Sequence, residues 1–278
     1  MFKLVLDAGH GINTAGKRCD KKLDPKQTRE WSLNSRICTK IEELLKAYDG
    51  YDLLRVDDET GKTDVALNTR SRTANKFNAD FYLSIHHNAG INRGKGGGVV
   101  AYVYPNVGTD TTSWQKELYN AVIQYTGLKG NRSNPLAKKN LHVLRETLMP
   151  AVLLECGFMD SATDVPIILT ENFADGVAKA CVEVIVKKGN LTKKKAEQPK
   201  VEQPAETKEP TPVESIYFKK YTGKTSSIVD GLKAVGATST YDYRKKIAKA
   251  NGISLYIGSA SQNGKLLSLL KQGKLIKP

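Results

Sequence analysis

The chain has 278 residues, enough for one medium domain and one small one, and its 40% hydrophobic and 26% charged residues fit an ordinary core-forming protein rather than a disordered tail. A formal net charge of +14 predicts attraction to polyanions such as nucleic acid, anionic membrane or a phosphate-rich wall polymer. No run of 18 or more apolar residues occurs, which excludes a transmembrane helix, and Cys19, Cys38, Cys156 and Cys181 show neither CxxC spacing nor a small-domain framework.

The N-terminus reads as a first strand, Phe2–Asp7, because its short apolar stretch runs into an acidic residue and a Gly-rich turn. No secretory signal peptide is recognised, so the expectation is a protein made in the cytoplasm with reduced thiols. A long helix is predicted over about 28–48, where Leu33, Ile37, Ile41, Leu44 and Leu45 recur at three- and four-residue steps. Strands at 52–56, 80–86, 97–104 and 150–156 then alternate with helical patterns at about 66–78, 111–126 and 172–187. Repeated β-then-α order predicts an α/β fold, a mostly parallel sheet with helices on both faces.

From Lys187 to about Glu214 the sequence turns rich in Lys, Glu, Pro and Thr and loses apolar periodicity. The predicted organisation is a catalytic domain over 1–188, a linker over 189–214 and a small basic α+β domain over 215–278. From Glu214 onward twelve Lys or Arg face three acidic residues, Glu214, Asp230 and Asp242. Helices are expected at 226–234, 240–250 and 259–272, with Gly236, Gly252 and Gly273 as C-terminal caps. A strand could lie over Ile253–Ile257. Some 60 residues is near the lower limit for independent folding, so this core must be compact.

All four histidines lie in the first unit. His10 follows the first strand in Asp7-Ala8-Gly9-His10-Gly11, where flanking glycines permit a sharp turn. His86 closes another strand in Ser84-Ile85-His86-His87-Asn88, and Glu155 is last but one in the strand ending at Cys156. Ligands of open α/β sheets bind beyond the carboxyl ends of the strands, so these three groups are expected to converge on one edge. Glu30, at the start of the long helix, aligns with the core-facing stripe, where a carboxylate needs a partner. Two imidazoles and a carboxylate with one open position are a recurrent ligand set for catalytic zinc, which would leave Glu155 as general base and later acid. Adjacent strand residues face opposite ways, so only one of His86 and His87 can enter the site; His87 is read as structural or substrate-facing. His142 reads as a loop residue, and Cys156 as packed rather than nucleophilic, although a Cys–His hydrolase stays open.

The motifs resemble a known family. Asp7-Ala-Gly-His-Gly11, Glu30-Trp-Ser-Leu-Asn34, Leu67-x-x-Arg70-x-x-x-Ala74-Asn75, Ser84-Ile-His-His-Asn88 and Pro150-Ala-Val-Leu-Leu-Glu155-Cys-Gly-Phe158 occur in the order found in the N-acetylmuramoyl-L-alanine amidase 3 family. The resemblance covers about residues 1–188. It implies one zinc ion held by His10, Glu30 and His86, Glu155 as the catalytic carboxylate, and hydrolysis of the amide between N-acetylmuramic acid and L-alanine of peptidoglycan. The regulatory helix of some cell-division members has no counterpart; the segment from Gly127 to Lys139 is too short for it.

The C-terminal stretch resembles, more loosely, the wall-binding domain of Bacillus endolysins and autolysins, through Gly231-Leu-Lys-Ala-Val-Gly236, the run from Tyr243 to Gly252, Tyr256-Ile-Gly258 and Gln262-Asn-Gly-Lys-Leu-Leu267. That resemblance implies an anionic or glycan wall polymer as partner, and a phage endolysin lysing a Gram-positive host, or a mother-cell autolysin, as the whole. A peptidase acting on the stem peptide is the competing enzyme. A nucleic-acid-binding protein is supported by charge alone, since no RNA- or DNA-binding signature is present.

Overall fold

The structure, a computed structural model, describes residues 1–194, 216–253, 256, 258 and 260–278. The chain divides into two compact units, Met1–Glu197 and Gln198–Pro278. Most of the expected linker, and residues 254, 255 and 257 of the expected strand Ile253–Ile257, lie outside the described residues.

In the first unit β1 (Phe2–Ala8) leads through a long loop to α1 (Glu30–Leu45), β2 (Tyr48–Asp49) and β3 (Tyr51–Arg55). There follow α2 (Leu67–Phe77), β4 (Phe81–Asn88), β5 (Val99–Val103), α3 (Thr109–Thr126), β6 (Leu136–Lys138) and α4 (His142–Arg145). The unit closes with β7 (Ala151–Phe158), α5 (Val165–Ile168), α6 (Glu171–Lys188) and β8 (Thr192–Lys193). Six strands form one sheet in the order β3-β1-β4-β7-β5-β6, while β2 and β8 make a separate antiparallel pair. The β3-β1-β4-β7 part is parallel; β5 runs antiparallel to β7 and parallel to β6. The mostly parallel α/β architecture is therefore the one expected.

Alternation along the strands divides the core in two. Leu4, Leu6, Ala8, Phe81, Leu83, Ile85, Val152, Leu154 and Cys156 face the layer of α1, α3 and α6. Val5, Tyr82, Ala151 and Leu153 point the other way, toward α2 and α4. On α1 the predicted stripe of Leu33, Ile37 and Ile41 is at most 1% exposed, and each such side chain contributes about 1.5–3 kcal/mol by leaving water.

Two strands run further than the sequence suggested. β4 continues to Asn88 and β7 to Phe158, so His86 and Glu155 sit inside their strands, near but not at the ends. A register irregularity between His86 and Asn88 lets β4 keep pairing past the His86-His87 pair. The short β6, α4 and α5 escaped prediction because three- or four-residue elements carry no measurable period.

The second unit contains α7 (Ile228–Ala234), α8 (Tyr241–Ala250) and α9 (Ala260–Gln272). Ser227 and Thr240 cap α7 and α8 by accepting from the Asp230 and Tyr243 N–H groups. Gly236, Gly252 and Gly273 have φ of 75°, 69° and 71°, the left-handed conformation that ends a helix. Phe218, Ile228, Leu232, Ile247, Leu266, Leu270 and Leu275 belong to its core, and an isolated antiparallel bridge joins Tyr217 to Ile276.

Candidate active site

The site begins with strand register. His86 of β4 lies directly opposite Glu155 of β7, and the Gly9 N–H, just past β1, donates to the Ile85 carbonyl at 3.0 Å. Gly9, His86 and Glu155 thus form a row across the sheet, on the face of α2 and α4. A Cβ at Gly9 would stand 2.0 Å from the His86 ring, so only glycine lets the imidazole lie across β1. The next residue, His10, has φ of 70°, a left-handed conformation uncommon for a side-chain-bearing residue.

A buried ion pair sustains that turn. Asp7 and Arg70 are each 1% exposed; Arg70 pairs with Asp7 and donates to the carbonyls of Ala8 at 3.0 Å and His10 at 3.2 Å. It also donates to the Val65 carbonyl at 2.8 Å and Asp64 Oδ1 at 3.2 Å. Asp7 Oδ2 accepts from Ser84 Oγ at 2.7 Å and Tyr82 Oη at 2.9 Å. Burial works to raise the Asp7 pKa, but Arg70, His86 and the hydrogen bond from Ser84 hold it below the ordinary value. Arg70 therefore fixes the backbone on both sides of Gly9.

Glu30, at the N-terminus of α1, brings its carboxylate to both imidazoles: Oε1 is 3.3 Å from His10 Nε2 and 3.0 Å from His86 Nδ1. One ligand atom from each of the three residues falls within 4.8 Å of the others. Burial would raise the Glu30 pKa, yet the hydrogen bonds to His10 and His86 keep it well below the usual carboxylate value. His86 is in turn shifted up, with burial opposing and Glu30 prevailing. Buried Glu30 Oε2 makes no hydrogen bond among the described residues. Two imidazoles converging with an ionised carboxylate suit a divalent metal with borderline-soft preferences and an open coordination position.

Glu155 faces the same cleft but stands outside that three-donor group. Its enclosed Oε2 makes no hydrogen bond among the described residues, and burial pushes its pKa up to about 7, against the pull of His86. A carboxylate poised near neutrality can accept a proton and return it. Of the four residues proposed from the sequence, His10, His86 and Glu155 thus line one cleft of about 580 Å³, and the buried Glu30 joins them from behind through its contacts with His10 and His86.

His87 takes the structural alternative. It points to the α1 side, its Nδ1 is 2.8 Å from Asn34 Oδ1, and burial pushes its pKa down to about 3, so the ring is neutral. Cys156 faces the core opposite the site, where burial holds its thiol well above the ordinary value and removes it as a nucleophile. His142 is the first residue of α4, not of a loop, and lines the cleft with its Nε2 3.3 Å from Ser71 Oγ. Asn88, the last residue of the Ser84–Asn88 motif, also lines it, as do Lys17 and Lys139, which were not singled out from the sequence because isolated residues on connecting segments carry no periodic signal.

The fold and site define a class: a mostly parallel, helix-covered α/β sheet with a His-Glu-His cluster capable of holding a metal beside a near-neutral carboxylate. The N-acetylmuramoyl-L-alanine amidase family matches residues 4–187, and the chain belongs to that family. It is 35% identical over 193 residues to a sporulation-specific N-acetylmuramoyl-L-alanine amidase of Bacillus subtilis, covering 69% of this chain and 70% of that protein. The endolysin of Bacillus phage SPP1 is 28% identical over 282 residues, covering 99% of this chain and 96% of that one. The crystal structure of an N-acetylmuramoyl-L-alanine amidase from Clostridium difficile 630 superposes with a TM-score of 0.60 at 25% identity, over 68% of this chain and 97% of that one. The enzyme is accordingly a hydrolase of the amide between N-acetylmuramic acid and L-alanine in peptidoglycan.

Proposed function

We propose that this amidase is zinc-dependent, with His10, Glu30 and His86 as the metal ligands and Glu155 as the catalytic carboxylate. The observation that carries the reading is the approach of three donor atoms to within 4.8 Å of one another, at the cleft that His10, His86 and Glu155 line. Zinc held there would supply Lewis acidity, polarising the scissile carbonyl and acidifying the attacking water.

The chain's own groups do the rest. Glu155 takes a proton from the attacking water as its oxygen bonds to the lactyl carbonyl carbon. It then gives that proton to the L-alanine nitrogen as the C–N bond breaks, so the products are a muramoyl carboxylic acid and a free amine. The enclosed position of Glu155 Oε2 keeps bulk water from competing for that proton. Arg70 and Gly9 hold the strand-end turn that presents His10.

The whole chain is read as a phage endolysin acting on a Gram-positive wall, with the segment after the amidase domain (1–188) as linker (189–214) and the remainder (215–278) as a wall-polymer-binding domain. Support comes from the likeness to the phage SPP1 endolysin, which runs through both units, and from the twelve basic residues after Glu214. A polyanionic or glycan wall polymer is the expected partner.

Digestion of purified peptidoglycan by zinc-loaded enzyme tests the chemistry: new amino-terminal alanine is expected, and His10→Ala should lose both zinc and activity. A different new amine would replace the amidase with a stem-peptide peptidase. For the second unit, co-sedimentation with walls is expected; binding to DNA while ignoring walls would remove the anchor.

A further inference from the structure

Lys17 touches Glu30 twice. Its main-chain carbonyl accepts the Glu30 N–H at 3.0 Å, satisfying one of the donors that the first turn of α1 leaves without a helical partner. Its ammonium lies 3.6 Å from Glu30 Oε2, longer than a hydrogen bond but within an ion pair.

The two oxygens of the carboxylate are thereby made different. Oε1 faces His10 Nε2 at 3.3 Å, His86 Nδ1 at 3.0 Å and the His87 N–H at 3.3 Å. Oε2 is turned to Lys17. Arg70, the other cation deep in the cleft, is committed to Asp7, Asp64 and three carbonyls and forms no ion pair with Glu30 among the described residues.

We propose that Lys17 is a positioning residue for Glu30: its ammonium holds Oε2 away from the ligand cluster, so that Oε1 alone is presented. A carboxylate free to swing, or to bind through both oxygens, would hold the metal less well or fill the position the reaction needs open. Groups that orient a ligand from behind usually matter by 10–100-fold in metal affinity or activity. The inference rests on the zinc reading above.

The test compares wild type with Lys17→Met and Lys17→Arg, measuring zinc affinity by chelator competition and, at saturating zinc, kcat and KM separately. Lys17→Met is expected to weaken zinc binding about 10–100-fold and to lower kcat with KM little changed. Lys17→Arg, which keeps the charge, should recover most of both. The Lys17 side chain is 43% exposed and its carbonyl contact is main-chain, so the metal-free melting midpoint should not move. Lys17→Gln repeats the measurement should the Met variant fold poorly. Wild-type zinc affinity and kcat in the charge-removed variant would overturn the proposal, as would a change confined to KM, which marks a substrate contact. A wild-type protein that takes up no zinc would overturn the zinc reading itself, a result distinct from any difference between variants.

Discussion

The two units treat charge in opposite ways. In the amidase unit Asp7, Glu30 and Arg70 are almost wholly buried, each with ionic partners. In the second unit every buried side chain among the described residues is apolar or Tyr256, and its lysines are exposed or half-buried. Buried charge is expensive unless fully partnered, and in return fixes geometry; surface charge is cheap and fixes little. The first arrangement suits a reaction; the second suits the reversible grip on a wall polymer proposed for that unit.

The largest expected break in that comparison is Glu155→Ala. Losing the proposed proton carrier should reduce turnover by about 10²–10⁴-fold, read as release of amino-terminal alanine, while zinc binding, if the proposed ligands hold it, stays at one per chain. Near-normal turnover would misplace the catalytic carboxylate. Next comes Arg70→Met, which strands Asp7 and should destabilise the amidase unit by about 3–5 kcal/mol in urea unfolding.

The Asp7–Arg70 pair also has a pH signature. The folded-state pKa of Asp7 is lowered, so its contribution is present above the unfolded value, about 3.9, and is lost as pH falls through the folded one. Without Arg70 the burial that opposes ionisation is left, and the sign reverses. The stability gap between wild type and Arg70→Met should therefore narrow as pH falls from 6 toward about 3. A constant gap would show that the pair is not the source.

In the second unit Leu270→Ala should cost about 2–5 kcal/mol, enough to unfold so small a core. Hydrolysis of a small soluble muramoyl peptide should change less than about twofold while wall sedimentation is lost. Parallel loss of both would mean the units depend on each other. The smallest effect is expected for Lys245→Gln with Lys249→Gln on the exposed side of α8: stability within about 0.5 kcal/mol and weaker, less salt-sensitive sedimentation with walls.

Much of the site is legible in the sequence. His10 and His86 followed strand patterns, Glu30 stood out as a carboxylate on an apolar stripe, and Glu155 as one on an apolar strand. Period-two alternation said that only one of His86 and His87 could enter the cleft. It could not say which bonds each would make: His86 meets Glu30, and His87, on the opposite face of the sheet, meets Asn34. The strand ends were misjudged because pairing past His87 depends on β7, not on β4 alone.

The sequence by itself determined the alternation of strands and helices, the buried stripe of α1, the helix stops of the second unit and the four residues that gather at the cleft or directly behind it. These follow from hydrophobic period, glycine conformation and the expense of burying an unpaired charge, all of which act over a few residues. Only the tertiary structure decided the His86–Glu155 register, the enclosure that raises the Glu155 pKa and the contacts of Arg70 and Lys17. Register and desolvation are sums over segments far apart in the chain: Arg70 meets Asp7 across 63 positions, and no local pattern carries that information.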